Sequence, residues 1–300
     1  MGFVLELWIP ITIAAALLQN LRTALQQQLT SVLDPTEAAY VRFCYAVPFA
    51  WMYFAALAWF GFQLPAASWD FAGYVLVGAV CQIVGTVALL RSFQTRNFAA
   101  GTAYSKTETV QAALFATIIL GESMSPVALA GILVSLLGVV LLSTPDGWRA
   151  LLHSGPGPPA LWYGVAAGAG FGISAVLYRG AALSLPSGDF LVRASITLVA
   201  ATTIQTVGMG TYLFWRNRNS LVLIGQVWKR GIWVGLAGML ASAGWFTAMT
   251  LERAAYVRAL GQIELLFAFL VTLVVFREKV SIGELLGAGA VVFGLMLLLI

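Results

Sequence analysis

Apolar stretches of bilayer-spanning length recur from one end of this 300-residue chain to the other. Bounded by Pro, Gly, Asp and Arg, they fall near residues 7–29, 36–60, 71–93, 98–120, 125–143, 160–183, 188–214, 231–251, 254–276 and 281–300. A helix of about 20 apolar residues crosses the hydrocarbon core, so the expected fold class is an all-α membrane protein with ten transmembrane helices. The charge content agrees. Only 9% of residues are Asp, Glu, Lys or Arg, against about 25% in an average soluble domain, too few to clothe a soluble fold of this size.

The same composition removes several chemistries. Cys44 and Cys81 stand singly inside apolar runs, with no CxxC or metal spacing, and read as small core residues. The one histidine, His153, lies in a Pro/Gly-rich loop, so neither a metal site nor a cofactor is expected. No GxxxxGK[ST] run is present, which argues against an ATP-driven pump within the chain. The net charge of +4 is spread over loops and reports topology rather than a nucleic-acid partner. The first span lacks a basic leader and exceeds signal-peptide length, so it is not read as a cleaved signal, and Ala14, Ala15 and Ala16 read as a packing surface.

The chain also repeats itself. "GESMSPVALAG" (121–131) resembles "REKVSIGELLG" (277–287) at a shift of 156, which also pairs Glu108 with Glu264 and Gly138 with Gly294. "DPTEAAYVRF" (34–43) resembles "LPSGDFLVRA" (185–194), pairing Arg42 with Arg193, and Leu7-Trp8 matches Leu161-Trp162. The expected organisation is a first repeat over 1–143, a breaker-rich linker over 144–159 and a second repeat over 160–300. Five spans per repeat invert the second across the membrane, an architecture of secondary transporters whose sites lie near the midplane.

Polar load is uneven among the spans. Those at 125–143 and 281–300 hold almost nothing polar beyond their first turn, and their glycines suit close packing at the periphery. "GVAAGAGFG" (164–172) does not fit a nucleotide-binding spacing; Gly164, Gly168 and Gly172 make a small-residue packing face. The span at 98–120 differs, carrying Lys106 and Glu108 near its middle. Each charge there costs roughly 2.5–3.5 kcal/mol on insertion scales. Tyr104, Glu108 and Gln111 follow i, i+4, i+7 and share a helical face, while Lys106 points elsewhere. Gln262 and Glu264 repeat the arrangement. Two explanations are open: these groups line a hydrated substrate path, or they form structural ion pairs, Lys106 with Glu264 or Glu108 with an arginine. Arg42 and Arg193 come next, as structural, gating or carboxylate-binding residues, with Asp189 placed to pair with Arg193. Asn20, Gln82 and Tyr178 add polar groups, Arg22 a charge, and Trp245 a candidate aromatic wall.

On these residues the chain resembles the EamA-type repeat of the drug/metabolite transporter superfamily. The carrying motif is Glu-x13-Glu followed by Ser and a Gly-spaced apolar helix, found as "ETVQAALFATIILGESMS" (108–125) and "ELLFAFLVTLVVFREKVS" (264–281). Arg277 replaces the family's usual Gly before the second glutamate, and Thr109 and Leu265 stand where a Pro commonly follows the first. The resemblance implies ten helices around a central cavity and the export or exchange of small organic metabolites, often amino acids.

The expected function is therefore a secondary transporter of a small polar or zwitterionic metabolite, not an enzyme, with Glu108 and Glu264 coupling transport to protons or recognising a cation. An uncoupled facilitator and an intramembrane enzyme using the two carboxylates are the alternatives. Expected partners are a small-molecule substrate and the lipid bilayer, with protons open, no nucleic acid, and a monomer or homodimer. The location is a bacterial plasma membrane. Basic residues favour one set of loops (Arg91, Arg96, Arg149, Arg216, Arg218, Lys229, Arg230, Arg277, Lys279) over the other (Arg179, Arg253), which puts both termini outside, although the family resemblance implies the reverse.

Overall fold

The computed structural model describes residues 6–93, 104–143, 159–271 and 281–300. Among them every regular element is a helix. In chain order these are α1 (Trp8–Leu29), α2 (Pro35–Cys44), α3 (Val47–Trp59), α4 (Trp69–Phe93), α5 (Glu108–Leu120), α6 (Pro126–Ser143), α7 (Pro159–Ser184), α8 (Phe190–Arg216), α9 (Arg218–Gln226), α10 (Trp228–Leu251), α11 (Ala254–Leu260), α12 (Ile263–Val271) and α13 (Ile282–Leu298). The central linker, His153, Arg96, Arg149, Arg277, Glu278 and Lys279 lie outside the described residues.

Among the described residues five spans are both long and apolar enough to cross a bilayer: Pro35–Trp59, Trp69–Ser92, Leu161–Ser184, Phe190–Arg216 and Trp228–Leu251. Their lipid-facing character shows on α4, where Leu76, Val77, Val80 and Val84 are all more than half exposed. Trp59 and Trp69 flank the turn from α3 to α4, and Trp215 and Trp228 flank α9, all well exposed. Tryptophan at span ends is the pattern of interfacial anchoring, so the segment 215–230 behaves as its composition suggests. α1 is less apolar, because Gln19, Asn20, Arg22, Thr23 and Gln26 crowd its second half.

Local sequence sets the helix starts. Asp34 opens α2 with a full capping box, accepting from Thr36 N–H (2.7 Å) and Glu37 N–H (2.8 Å) while Glu37 accepts from Asp34 N–H (2.9 Å). Ser281 does the same for α13 with Glu284. The span at 36–60 is not one helix: the α-ladder stops at Tyr45, and Pro48, which lacks an N–H, sits in the first turn of α3.

The chain divides into two compact units. The first holds Met1–Ile83 and Ser174–Arg253, hence α1 to α3, the first part of α4, the last part of α7, and α8 to α10. The second holds Val84–Ile173 and Ala254–Ile300, hence the remainder of α4 and α7 with α5, α6 and α11 to α13. Each unit thus draws helices from both sequence halves.

In the first unit α1 packs along α10, where a Cβ on Gly244 would stand 2.8 Å from the Ala15 Cβ. In the second, α6 and α13 are the most extensive pair. A Cβ on Gly131 would lie 2.6 Å from the Gly294 carbonyl, and one on Gly138 2.6 Å from the Gly287 carbonyl. The contacts 131–294 and 138–287 have a constant index sum, which is an antiparallel crossing. The shift of 156 carries Gly131 to Gly287 and Gly138 to Gly294, so the repeat exchanges the two contacts, as a two-fold axis does.

Candidate functional site

Among the described residues each unit holds a buried polar cluster. The second unit's cluster is built on two interrupted helices. The expected span 98–120 breaks at Lys106–Thr107, just before α5, and the expected span 254–276 breaks at Gly261–Gln262, between α11 and α12. Both breaks include the repeat-equivalent position 106/262. Thr109 N–H bonds the Lys106 carbonyl (3.3 Å) and Leu265 N–H the Gln262 carbonyl (3.0 Å), equivalent 3₁₀-type bonds that interrupt the α-ladder. Tyr104 precedes the break, which interrupts the helical register expected to align it with Glu108 and Gln111.

Each break places a glutamate in the first turn of the helix that follows, Glu108 in α5 and Glu264 in α12, where the helix dipole favours negative charge. Both are ion-paired. Lys106 bonds Glu264, and Arg258 Nε stands 2.9 Å from Glu108 Oε1, every one of these side chains being largely buried. The second unit therefore contains both of the ion pairs expected as one of the two explanations. The pairing is nearly symmetric. Repeat equivalence would set position 262 against Glu108 as Lys106 is set against Glu264, but position 262 is Gln. The cation comes instead from Arg258, four residues earlier, in the last turn of α11 before the break. Gln262 donates to Thr109 Oγ1 (2.6 Å) and accepts from Ser135. α6, expected to carry almost nothing polar past its first turn, supplies that buried hydroxyl from Ser135.

α7 closes over this cluster with its glycines. A Cβ on Gly168 would stand 3.0 Å from Glu108 N and the Ser105 carbonyl, and one on Gly172 3.2 Å from Ala112 N. Gln111 donates to Thr107 Oγ1 (2.9 Å) and reaches the Val165 carbonyl (3.5 Å), so it faces α7 while Glu108 faces α11.

The first unit's cluster is a pocket lined by Arg42, Phe43, Ala46, Gln82, Leu198, Thr202, Gln205, Gly238, Ser242 and Phe246. Gln82 Oε1 accepts from Gln205 Nε2 (2.6 Å) and Tyr178 OH (3.0 Å), and the Tyr178 ring stacks on Phe246 with centroids 4.5 Å apart. Of the residues expected in a site, Arg42, Gln82 and Tyr178 meet here. The others do not line the pocket: Trp245 is buried beside its neighbour Phe246, which forms the aromatic wall instead, and Asn20 is half-buried on α1. Arg193 donates to the Gly188 carbonyl (3.0 Å), and Asp189 caps α8 through Leu191 N–H rather than pairing with it. Helix-start geometry outcompetes the i, i+4 pair. Arg258, Gln205 and Phe246 were not singled out by sequence. An arginine or glutamine inside an apolar span was the available signal, but position 258 is equivalent to Thr102 and 205 to Phe54, so a search for repeated charged or amide residues passes over both.

Apolar outer surfaces, tryptophan-flanked span ends and buried polar clusters define a multi-pass membrane protein. Residues 6–144 match the model of the EamA-like transporter family. A crystal structure described only as that of a protein aligns with 97% of this chain and 95% of its own, with a TM-score of 0.67 and 17% identity, a likeness of fold. No curated protein matches the sequence.

Proposed function

We propose that this chain is a secondary carrier for a small polar or zwitterionic metabolite, an exporter or exchanger working by alternating access in a bacterial plasma membrane, and not an enzyme. The observation that carries the reading is the pair of helix interruptions at position 106/262 of the two sequence halves, since discontinuous helices in equivalent positions are the mark of carriers built from inverted repeats. The two-fold exchange of glycine contacts between α6 and α13 supports the inversion, and with it the division into repeats 1–143 and 160–300. Loop charges favour both termini outside. The substrate reaches the protein from water or lipid, without nucleic acid, and a monomer or homodimer suffices.

A specific observation favours the uncoupled form of this reading over the proton-coupled one. Glu108 and Glu264 each face a cation within the second unit, so neither needs a proton to be buried. Purified protein in proteoliposomes is expected to take up substrate saturably, at a rate that an imposed pH gradient leaves unchanged. A rate that follows the gradient, and loses that dependence in Glu264→Gln, restores proton coupling.

A further inference from the structure

We propose that α9 and the helix ends flanking it form a binding surface for anionic phospholipid headgroups, with Arg216, Arg218, Lys229 and Arg230 as the phosphate-binding groups. The proposal rests on the chain's place in a membrane and not on the carrier reading. The surface has no counterpart in the first half of the sequence. There α3 ends at Trp59 and α4 starts at Trp69, and residues 60–68 between them hold neither a helix nor a charged residue. Between α8 and α10 the chain instead adds a helix and four cations within 216–230, and the stretch 190–251 contains no Asp or Glu. Asp189 stands at the far end of α8, about 40 Å away along a helix of 27 residues, and Glu252 at the far end of α10. Asp34 and Glu37 are held in the capping box of α2.

α8 and α10 are consecutive spans, so the last turns of one and the first turns of the other reach the same face of the membrane. Toward that face both present exposed side chains in the same order. On α8 apolar Val207 gives way to Tyr212, Phe214 and Trp215, and these to Arg216; on α10, read backwards, Leu240 gives way to Trp233, then to Arg230 and Lys229 beside Trp228. Aromatic residues collect where hydrocarbon meets headgroups, which sets the cations at phosphate depth. α9 is anchored between them. Ser220 and Ile224, one turn apart, are buried, and Tyr45 OH donates to the Ile224 carbonyl (2.9 Å), while Arg218 and Val222 are exposed. The cations are held without being neutralised. Arg218 lies over the Phe214 ring (4.4 Å), Arg216 over Tyr212 (5.9 Å), to whose hydroxyl it donates (3.3 Å), and Lys229 over Trp228 (5.8 Å). An aromatic face attracts a cation but leaves its charge in place, and none of the four is ion-paired among the described residues. Exposed guanidinium groups so placed bind phosphate through charged hydrogen bonds. The exposed Trp215, Val222 and Trp228 make the occupant a lipid, because a free phosphate would leave that apolar surface bare.

The test offers equal amounts of phosphatidylglycerol and phosphatidylcholine, with matched acyl chains, to the purified full chain in neutral detergent. Lipid that co-elutes with the protein is counted by mass spectrometry. Phosphatidylglycerol is expected to be retained about tenfold or more over phosphatidylcholine, since each cation near an anionic surface is worth about fivefold in binding. Arg216→Gln/Arg218→Gln and Lys229→Gln/Arg230→Gln are each expected to lower that preference about fivefold or more. Arg216→Lys/Arg218→Lys is expected to keep most of it. Arg91→Gln, which removes an exposed cation of the other unit, is expected to leave it unchanged. Raising salt from about 0.1 M to about 1 M shortens the screening length from about 10 Å to about 3 Å and is expected to erase the preference in the unmodified chain, an arm that needs no variant to fold. Inorganic phosphate at matched ionic strength is expected not to displace the lipid. Equal retention of the two lipids, the result of a charge bias that only orients the chain on insertion, overturns the proposal. So does a preference indifferent to salt, one undiminished in both glutamine variants, one lowered as much by Arg91→Gln, or displacement by inorganic phosphate.

Discussion

Replacing Arg258 by leucine is expected to destabilise the protein by about 3 kcal/mol, the lower end of the cost of breaking a buried ion pair from one side. The variant leaves Glu108 in the first turn of α5 with its cation gone, in a cluster where Gly168 and Gly172 bring α7 within van der Waals contact of the surrounding backbone. The Glu108 side chain is 14% exposed, so little water compensates it. The double variant Glu108→Leu/Arg258→Leu is expected to recover most of the loss, since replacing both members by apolar groups is often neutral or stabilising. Tryptophan-monitored unfolding in mixed micelles measures both. A double variant no more stable than the single one would show that Glu108 does more than answer Arg258.

Gly138→Ala is expected to cost about 3 kcal/mol or more, the upper range for overpacking. Its Cβ would lie 2.6 Å from both the Gly287 carbonyl and Val291 N. These are backbone atoms, so no rotamer change relieves the clash, and α6 and α13 must separate along their whole crossing. Gly289→Ala on α13 is the control. Nothing lies within 4 Å of its Cβ, and alanine there is expected to gain about 0.5–1 kcal/mol of helix propensity. Equal effects of the two substitutions, in the same unfolding assay, would remove the argument for a glycine-mediated crossing.

Much of this architecture is written in the sequence because bilayer physics leaves few choices. Apolar length gave the span positions, and glycine spacing marked the α6–α13 and α7 packing faces, since only small residues let backbones approach without the hydrophobic effect to drive them. The helix interruptions were not legible in detail. Neither contains a proline, and the first contains no glycine; the polar residues Lys106 and Gln262 were noticed for their charge or amide, not for the turn they occupy. Ion pairing was foreseen as an alternative for Lys106 and Glu264, but Arg258 was missed because it sits one turn from the position that symmetry indicates. The pocket around Arg42 mixes residues from five helices, α2, α4, α8 and α10 with Tyr178 of α7 behind it. Such convergence depends on tertiary packing, and no spacing within one span announces Gln205, Ser242 or Phe246 as neighbours.

The central claim, carriage by alternating access, is met most directly by counterflow. Proteoliposomes loaded with an unlabelled mixture of amino acids and other small polar metabolites are diluted into a trace of the same compounds in labelled form. A carrier exchanges internal for external solute at one site, so the label is expected to accumulate transiently above its equilibrium level and then decay. Label that rises monotonically to equilibrium, or enters no faster than in protein-free vesicles, would contradict the account.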